Sequence, residues 1–175
     1  MPNVNPRVIM GKQLITLLFI ITVLMVACNR SNEVFNQYKA LNDARWHRDS
    51  IVKFTYKVLD TLSKNNLYIN LRNNKDYGYS NLFLIVSIDF PSNTQIVDTL
   101  EYEMANAEGK FLGSGLTDIK ENKLEYKENV VFPVSGEYDI SIQQAMRRGG
   151  EVDGLEYLDG VTDVGLAIEK VTVNE

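Results

Sequence analysis

Leu82-Phe83-Leu84-Ile85-Val86-Ser87-Ile88-Asp89-Phe90 is the stretch that decides the fold. Leu82, Leu84, Val86, Ile88 and Phe90 recur at every second residue, the period that puts side chains on one face of a β-strand. Phe83 and Ile85 make the opposite face apolar as well. A strand apolar on both sides belongs inside a sheet rather than at its rim, so the pattern predicts a central strand. Pro91-Ser92-Asn93 follows at once and reverses the chain.

The same period returns on either side. Val52, Phe54, Tyr56 and Val58 alternate with Ile51, Lys53, Thr55 and Lys57, and Leu67, Ile69 and Leu71 alternate with Tyr68, Asn70 and Arg72. Leu100, Tyr102 and Met104 oppose Thr99, Glu101 and Glu103. Tyr138, Ile140 and Ile142 oppose Asp139, Ser141 and Gln143, and Val164, Leu166 and Ile168 oppose Gly165, Ala167 and Glu169. Turn residues separate these runs at Asn73–Asp76, Asn106–Gly109, Ser135-Gly136 and Arg148–Gly150. The expected fold is therefore all-β, a single antiparallel β-sandwich of about seven to eight strands. Two stretches do not declare themselves. Gly113–Asn129 could hold a helical turn or a long excursion. In Glu33–Leu41, Val34, Phe35, Tyr38 and Leu41 fit helical spacing, yet Val34-Phe35 could open an edge strand.

The N-terminus is of another kind. Arg7 and Lys12 precede thirteen uncharged residues, Leu14–Val26, followed by Ala27 and then Cys28, the single cysteine of the 175 residues. A basic leader, a short apolar run and a small residue form a secretory signal, and the run falls short of the ~20 residues that span a bilayer. With Cys28 as the first residue past the cut, Met25-Val26-Ala27-Cys28 resembles a bacterial lipobox. This resemblance implies an acylated Cys28. The expected organisation is a lipoprotein signal at 1–27, a lipidated tether at 28–33 and a β-sandwich domain at 34–175. Two or more acyl chains anchor stably where one does not.

Charge narrows the partners. The leader carries only Arg7 and Lys12, so its removal moves the net charge from −5 to −7. A negative chain argues against nucleic acid, and it leaves lipid, not a basic patch, to hold the protein at a membrane. With Cys28 acylated, no thiol is left for a disulfide, a metal or nucleophilic catalysis, and no cofactor is implied.

Several stretches in order carry a family resemblance. They are Asn70-Leu71-Arg72 with Asp76-Tyr77-Gly78-Tyr79-Ser80-Asn81-Leu82, then Asp98–Tyr102 followed by Glu108–Gly115. After them come Phe132-Pro133 with Gly136-Glu137-Tyr138, Gln144–Arg147, and Gly160–Leu166, with Trp46 near the start. Together they resemble the gliding-motility lipoprotein GldH family of Bacteroidetes. The pattern departs from that family at Gly78, where a proline is frequent, and at Phe111, where a tryptophan is. Membership implies a lipoprotein of a gram-negative envelope that serves the gliding machinery and the type IX secretion linked to it, with other envelope proteins as partners and no assigned catalytic residue. Asn29-Arg30-Ser31-Asn32 lacks the acidic run that resembles a surface-export signal, which favours an outer-membrane position facing the periplasm.

The residues themselves offer few sites. His47, the only histidine, lies in the charged stretch Asp43–Asp49 and reads as a surface side chain. Asp153, Glu156, Asp159 and Asp163 lack the spacing of a calcium loop, and Glu101 and Glu103 share the outer face of one strand. No catalytic or metal residue is expected. Trp46, Tyr77 and Tyr79 stand in or beside loops, where rigid rings can anchor a partner or stack on a sugar, and Arg72 could add a planar set of donors. These four are the candidate partner- or glycan-binding residues, with a glycan-binding lipoprotein as the alternative function. Pro133 marks Val130–Val134 as an edge segment able to accept another protein's strand.

Overall fold

The computed structural model describes residues 32–115 and 117–172. The leader 1–27 and Cys28 lie outside the described residues. Ten strands run in chain order: β1 (Glu33–Ala40), β2 (Arg45–His47), β3 (Val52–Val58), β4 (Asn65–Asn73), β5 (Asn81–Asp89), β6 (Gln95–Glu103), β7 (Lys120–Val130), β8 (Gly136–Gln144), β9 (Tyr157–Asp159) and β10 (Val161–Lys170). One sheet has the order β1-β10-β4-β7 and the other β3-β8-β5-β6, with β2 and β9 forming a separate two-stranded ribbon. All pairings are antiparallel. The chain is an all-β sandwich, as its periodicity predicts.

The core follows from the period-two pattern. Leu82, Leu84, Val86 and Ile88 of β5 meet Phe54 and Val58 of β3 and Tyr138, Ile140 and Ile142 of β8, all buried. Leu67, Ile69 and Leu71 of β4 and Val164, Leu166 and Ile168 of β10 face them from the other sheet, in one continuous apolar cluster. β5 lies between β8 and β6, the interior place that its two apolar faces require.

Both unplaced stretches prove to be edge strands. β7 takes up residues 120–130, eleven residues of the stretch left open and its continuation. Its inward set is Asn122, Leu124 and Tyr126. A polar residue at one inward position hides the alternation, and it is tolerated because its amide donates to Asn73 Oδ1 at 2.9 Å and to the Leu71 carbonyl at 3.2 Å. β1 sends the Phe35 ring inward against Phe54 and Tyr56, with centroids 6.5 and 5.4 Å apart, while Tyr38 lies on the outer face. The expectation for Pro133 needs correction. β7 ends at Val130, and 131–135 is a connecting loop whose Phe132 ring packs on Tyr56 and Tyr138. Proline there ends the pairing; the true rim of that sheet is β7.

Strand direction gives the sandwich two distinct ends. β1 begins, and β10, β3 and β7 finish, at the end where Asn32 enters; its carbonyl accepts from Lys170 N at 2.9 Å. β4, β6 and β8 finish at the other end, beside the β2–β9 ribbon. A nine-residue strand such as β4 separates the two by about 30 Å.

Candidate docking site

The far end is built around the ribbon. Arg45 pairs with Asp159, Trp46 with Leu158 and His47 with Tyr157. Alternation sends Trp46 and Leu158 into the core and leaves the other four outside. Trp46 is 0% exposed, and its indole N–H donates to the Ser50 carbonyl at 2.8 Å. Asp43 and Ala44, at φ 55° and 51°, turn the chain into β2. Gly160, at φ 84°, turns it out of β9, where a Cβ would stand 2.1 Å from Tyr77 N. Only glycine fits there.

Outside, Tyr157 is the centre. The residue is 42% exposed, with the Arg45 guanidinium 4.3 Å from its ring centroid and the His47 ring 4.8 Å away, edge to face. Arg45 Nε donates to Asp159 Oδ1 at 2.6 Å, and this carboxylate pushes the guanidinium pKa further above its ordinary value. His47 Nδ1 accepts from Asp49 N at 3.1 Å. Two clefts flank Tyr157. One, about 390 Å³, lies along Leu41–Asp43, Arg45, His47 and Ser50. The other, about 270 Å³, lies among Asp76, Tyr79, Arg148, Leu155 and Asp159.

The structure separates the four sequence candidates. Tyr77 is 2% exposed; its hydroxyl donates to the Asn81 carbonyl at 2.7 Å, and burial pushes its pKa well up. Its ring packs against Tyr79 and Phe111, 6.1 and 6.2 Å between centroids. Trp46 and Tyr77 are thus core side chains that plug this end of the sandwich. Tyr79 remains partly exposed and lines the second cleft. Arg72 sits on the outer face of β4, 4.1 Å over the Tyr38 ring and 3.3 Å from Glu121 Oε2. The Tyr38 hydroxyl donates to Glu121 Oε1 at 2.6 Å. Partial burial, then this bond, push the Tyr38 pKa up to about 12. Arg72 is therefore already engaged and stands on a different surface from the ribbon.

Sequence reasoning missed Tyr157, Arg45 and Arg148. Tyr157-Leu158-Asp159 and Arg45-Trp46-His47 each alternate out, in, out, but three residues are too few for that period to mark a strand. Asp159 and Glu156 belong to this surface, with Glu156 Oε1 4.0 Å from His47 Nε2. Among the described residues no group of three or more His, Cys, Asp or Glu side chains is arranged to hold a metal. Glu101, on the rim strand β6, accepts from Asn81 Nδ2 at 3.0 Å.

A sandwich whose chain enters at one end, and whose other end carries a ridge of stacked Arg, Tyr and His between shallow clefts, defines a surface-presenting β-domain. Its family can be stated as well: the chain belongs to the GldH lipoprotein family, whose model matches residues 33–168. It is 49% identical over 153 residues to a gliding motility lipoprotein GldH homolog of Christiangramia forsetii, covering 87% of this chain and 93% of that protein. It is also 49% identical over 154 residues to the gliding motility lipoprotein GldH of Flavobacterium johnsoniae, covering 88% and 94%. Among solved structures, the VP2 subviral particle of infectious bursal disease virus aligns at 12% identity with a TM-score of 0.34, over 78% of this chain and 33% of that one. A likeness this slight has no bearing on function.

Proposed function

We propose that this protein is a lipid-anchored, non-enzymatic component of the gliding machinery. It is held in the outer membrane through Cys28, faces the periplasm, and docks on other envelope proteins of gliding and of the linked type IX secretion. The observation that carries this reading is 49% identity, over most of both chains, with proteins named gliding motility lipoproteins. The geometry supports docking. The Tyr157 ridge lies at the end away from the entry at Asn32, and exposed Tyr and Arg side chains are the residue types that anchor protein interfaces. Arg45 and Asp159 neutralise each other there, an arrangement suited to a contact surface. The alternative of a glycan binder loses two of its three rings, because Trp46 and Tyr77 are buried.

The test is a strain of the source bacterium in which this gene is deleted. Colony spreading should stop on deletion, return with the wild-type gene, and fail to return with Cys28→Ser expressed at equal level. Spreading that survives deletion contradicts the motility role, and full rescue by Cys28→Ser contradicts the anchor.

A further inference from the structure

The turn joining β3 to β4 reads Leu59-Asp60-Thr61-Leu62-Ser63-Lys64. Leu59 is 81% exposed and Leu62 86%. Single exposed leucines are ordinary on protein surfaces. Two on one turn, held outward by a network, call for a cause. Asp60 supplies that network. Its Oδ1 accepts from Leu62 N and Ser63 N, both at 3.0 Å, and its Oδ2 accepts from Ser63 Oγ and Lys170 Nζ, both at 2.6 Å. The turn is tied down by its polar residue and displays its apolar ones.

Its position supplies the occupant. Val171 N donates to the Lys64 carbonyl at 2.9 Å, and Lys170 N donates to the Asn32 carbonyl at 2.9 Å. The turn therefore stands beside the point where the chain enters the sandwich. From Asn32 back to Cys28 is four residues, which reach at most about 14 Å when fully extended. An acyl anchor on Cys28 thus brings the bilayer surface to this end of the domain and to this turn. Val58 pairs with Gly136, so the loop 131–135, with the exposed Val131 and Val134, emerges next to Leu59. Lys57 and Lys64, both exposed, flank the leucines where their ammonium groups can meet lipid phosphates while the stems lie along apolar surface. The Asp60 carboxylate, the acid within the turn, is already matched by Lys170.

We infer that Leu59 and Leu62 form a second membrane contact, inserted in the headgroup and upper acyl region of the bilayer that holds the anchor. This seats the sandwich with its entry end down and the Tyr157 ridge about 30 Å above the surface. The inference rests on the acylation of Cys28 proposed above.

Fluorescence tests it, because Trp46 is the sole tryptophan and lies at the far end. The acylated full-length mature protein, wild type and L62W, is reconstituted into vesicles of phosphatidylcholine with dibrominated acyl chains. An apolar segment at this boundary sits roughly 5–10 Å deep, within reach of the bromines. The L62W protein should show added emission that is blue-shifted and quenched about twofold or more relative to unbrominated vesicles, while wild-type Trp46 emission should not change. L59W gives a second reporter on the same turn. Acylated protein that floats with the vesicles but leaves both new tryptophans unquenched overturns this inference alone. Quenching of Trp46 overturns the orientation. Protein from the source bacterium that lacks the acyl mass overturns the anchor and this inference with it.

Discussion

Trp46 shows at the residue scale what alternation does. Its neighbours Arg45 and His47 are polar and face outward, so the indole must face the core, and its one donor is satisfied by Ser50 O at 2.8 Å. Trp46→Ala should therefore lower stability by about 3–5 kcal/mol, the usual loss for a buried large aromatic. Tyr157→Ala should cost under ~1 kcal/mol and act on docking instead. Denaturant titration of both variants separates the roles; equal and small losses would return Trp46 to the surface. Gly160 is the other decisive residue. At φ 84°, with the Tyr77 amide 2.1 Å from where a Cβ would be, Gly160→Ala should cost more than ~2 kcal/mol through strain and displacement, read as a lower denaturation midpoint at unchanged slope.

Among elements, the β3–β4 turn makes the clearest prediction. The bonds from Lys170 first, then Ser63 and Leu62, hold the Asp60 carboxyl well below its ordinary value of 3.8. A depressed folded value means a contribution that is complete above pH ~4 and is lost as acid protonates the carboxylate. Asp98 is lowered in the same direction, chiefly by Lys127 at 2.8 Å. Thermal melts should thus fall on acidification below pH ~4, and Asp60→Asn should flatten that fall. A fall equally steep in the variant would show that Asp60 does not couple to folding.

The elements also explain what the sequence could tell. β5 and β10 were plain because every inward residue is apolar, and β8 because Tyr138, Ile140 and Ile142 set the period before its one inward polar residue, Gln144. β7 was not, because Asn122 takes an inward place through hydrogen bonds that only the fold supplies. β1 carried a false helical spacing, Phe35 and Tyr38 being three apart yet on opposite faces. The three-residue ribbon β2–β9 is too short for periodicity to mark, and it decides that Trp46 points in and Tyr157 out. The candidate surface was legible as a region, through Trp46, Tyr77 and Tyr79, but not as the residues that face solvent.

For the molecule as a whole, polarity of the two ends is the organising feature. The entry end holds Asn32, Leu59 and Leu62; the far end holds the Tyr157 ridge and both clefts. Between them, the outer face of β1 and β4 is sealed by Tyr38, Arg72 and Glu121, and by Tyr38 packing over Gly165, where a Cβ would come within 2.8 Å of its ring. This seal should be alkali-sensitive. Tyr38 in this seal and, apart from it, Tyr102 on β6 of the other sheet are pushed up to about 12, mainly by burial, so folding favours their protonated forms. That stability is whole below pH 10 and is lost as pH rises from 10 to 12. Melts across this range should fall, and Tyr38→Phe should lessen the fall; an unchanged profile would contradict the assignment.

If the acylated sandwich works by holding its docking end in reach of other envelope proteins, both the anchor and Tyr157 should be needed to keep those proteins bound. The most direct test is affinity purification of the acylated protein from its own envelope, read by mass spectrometry, beside Cys28→Ser and Tyr157→Ala. Gliding or secretion proteins should accompany the wild type and be depleted from both variants. Recovery of the wild-type protein alone, or an identical set of partners with all three, would contradict the docking role.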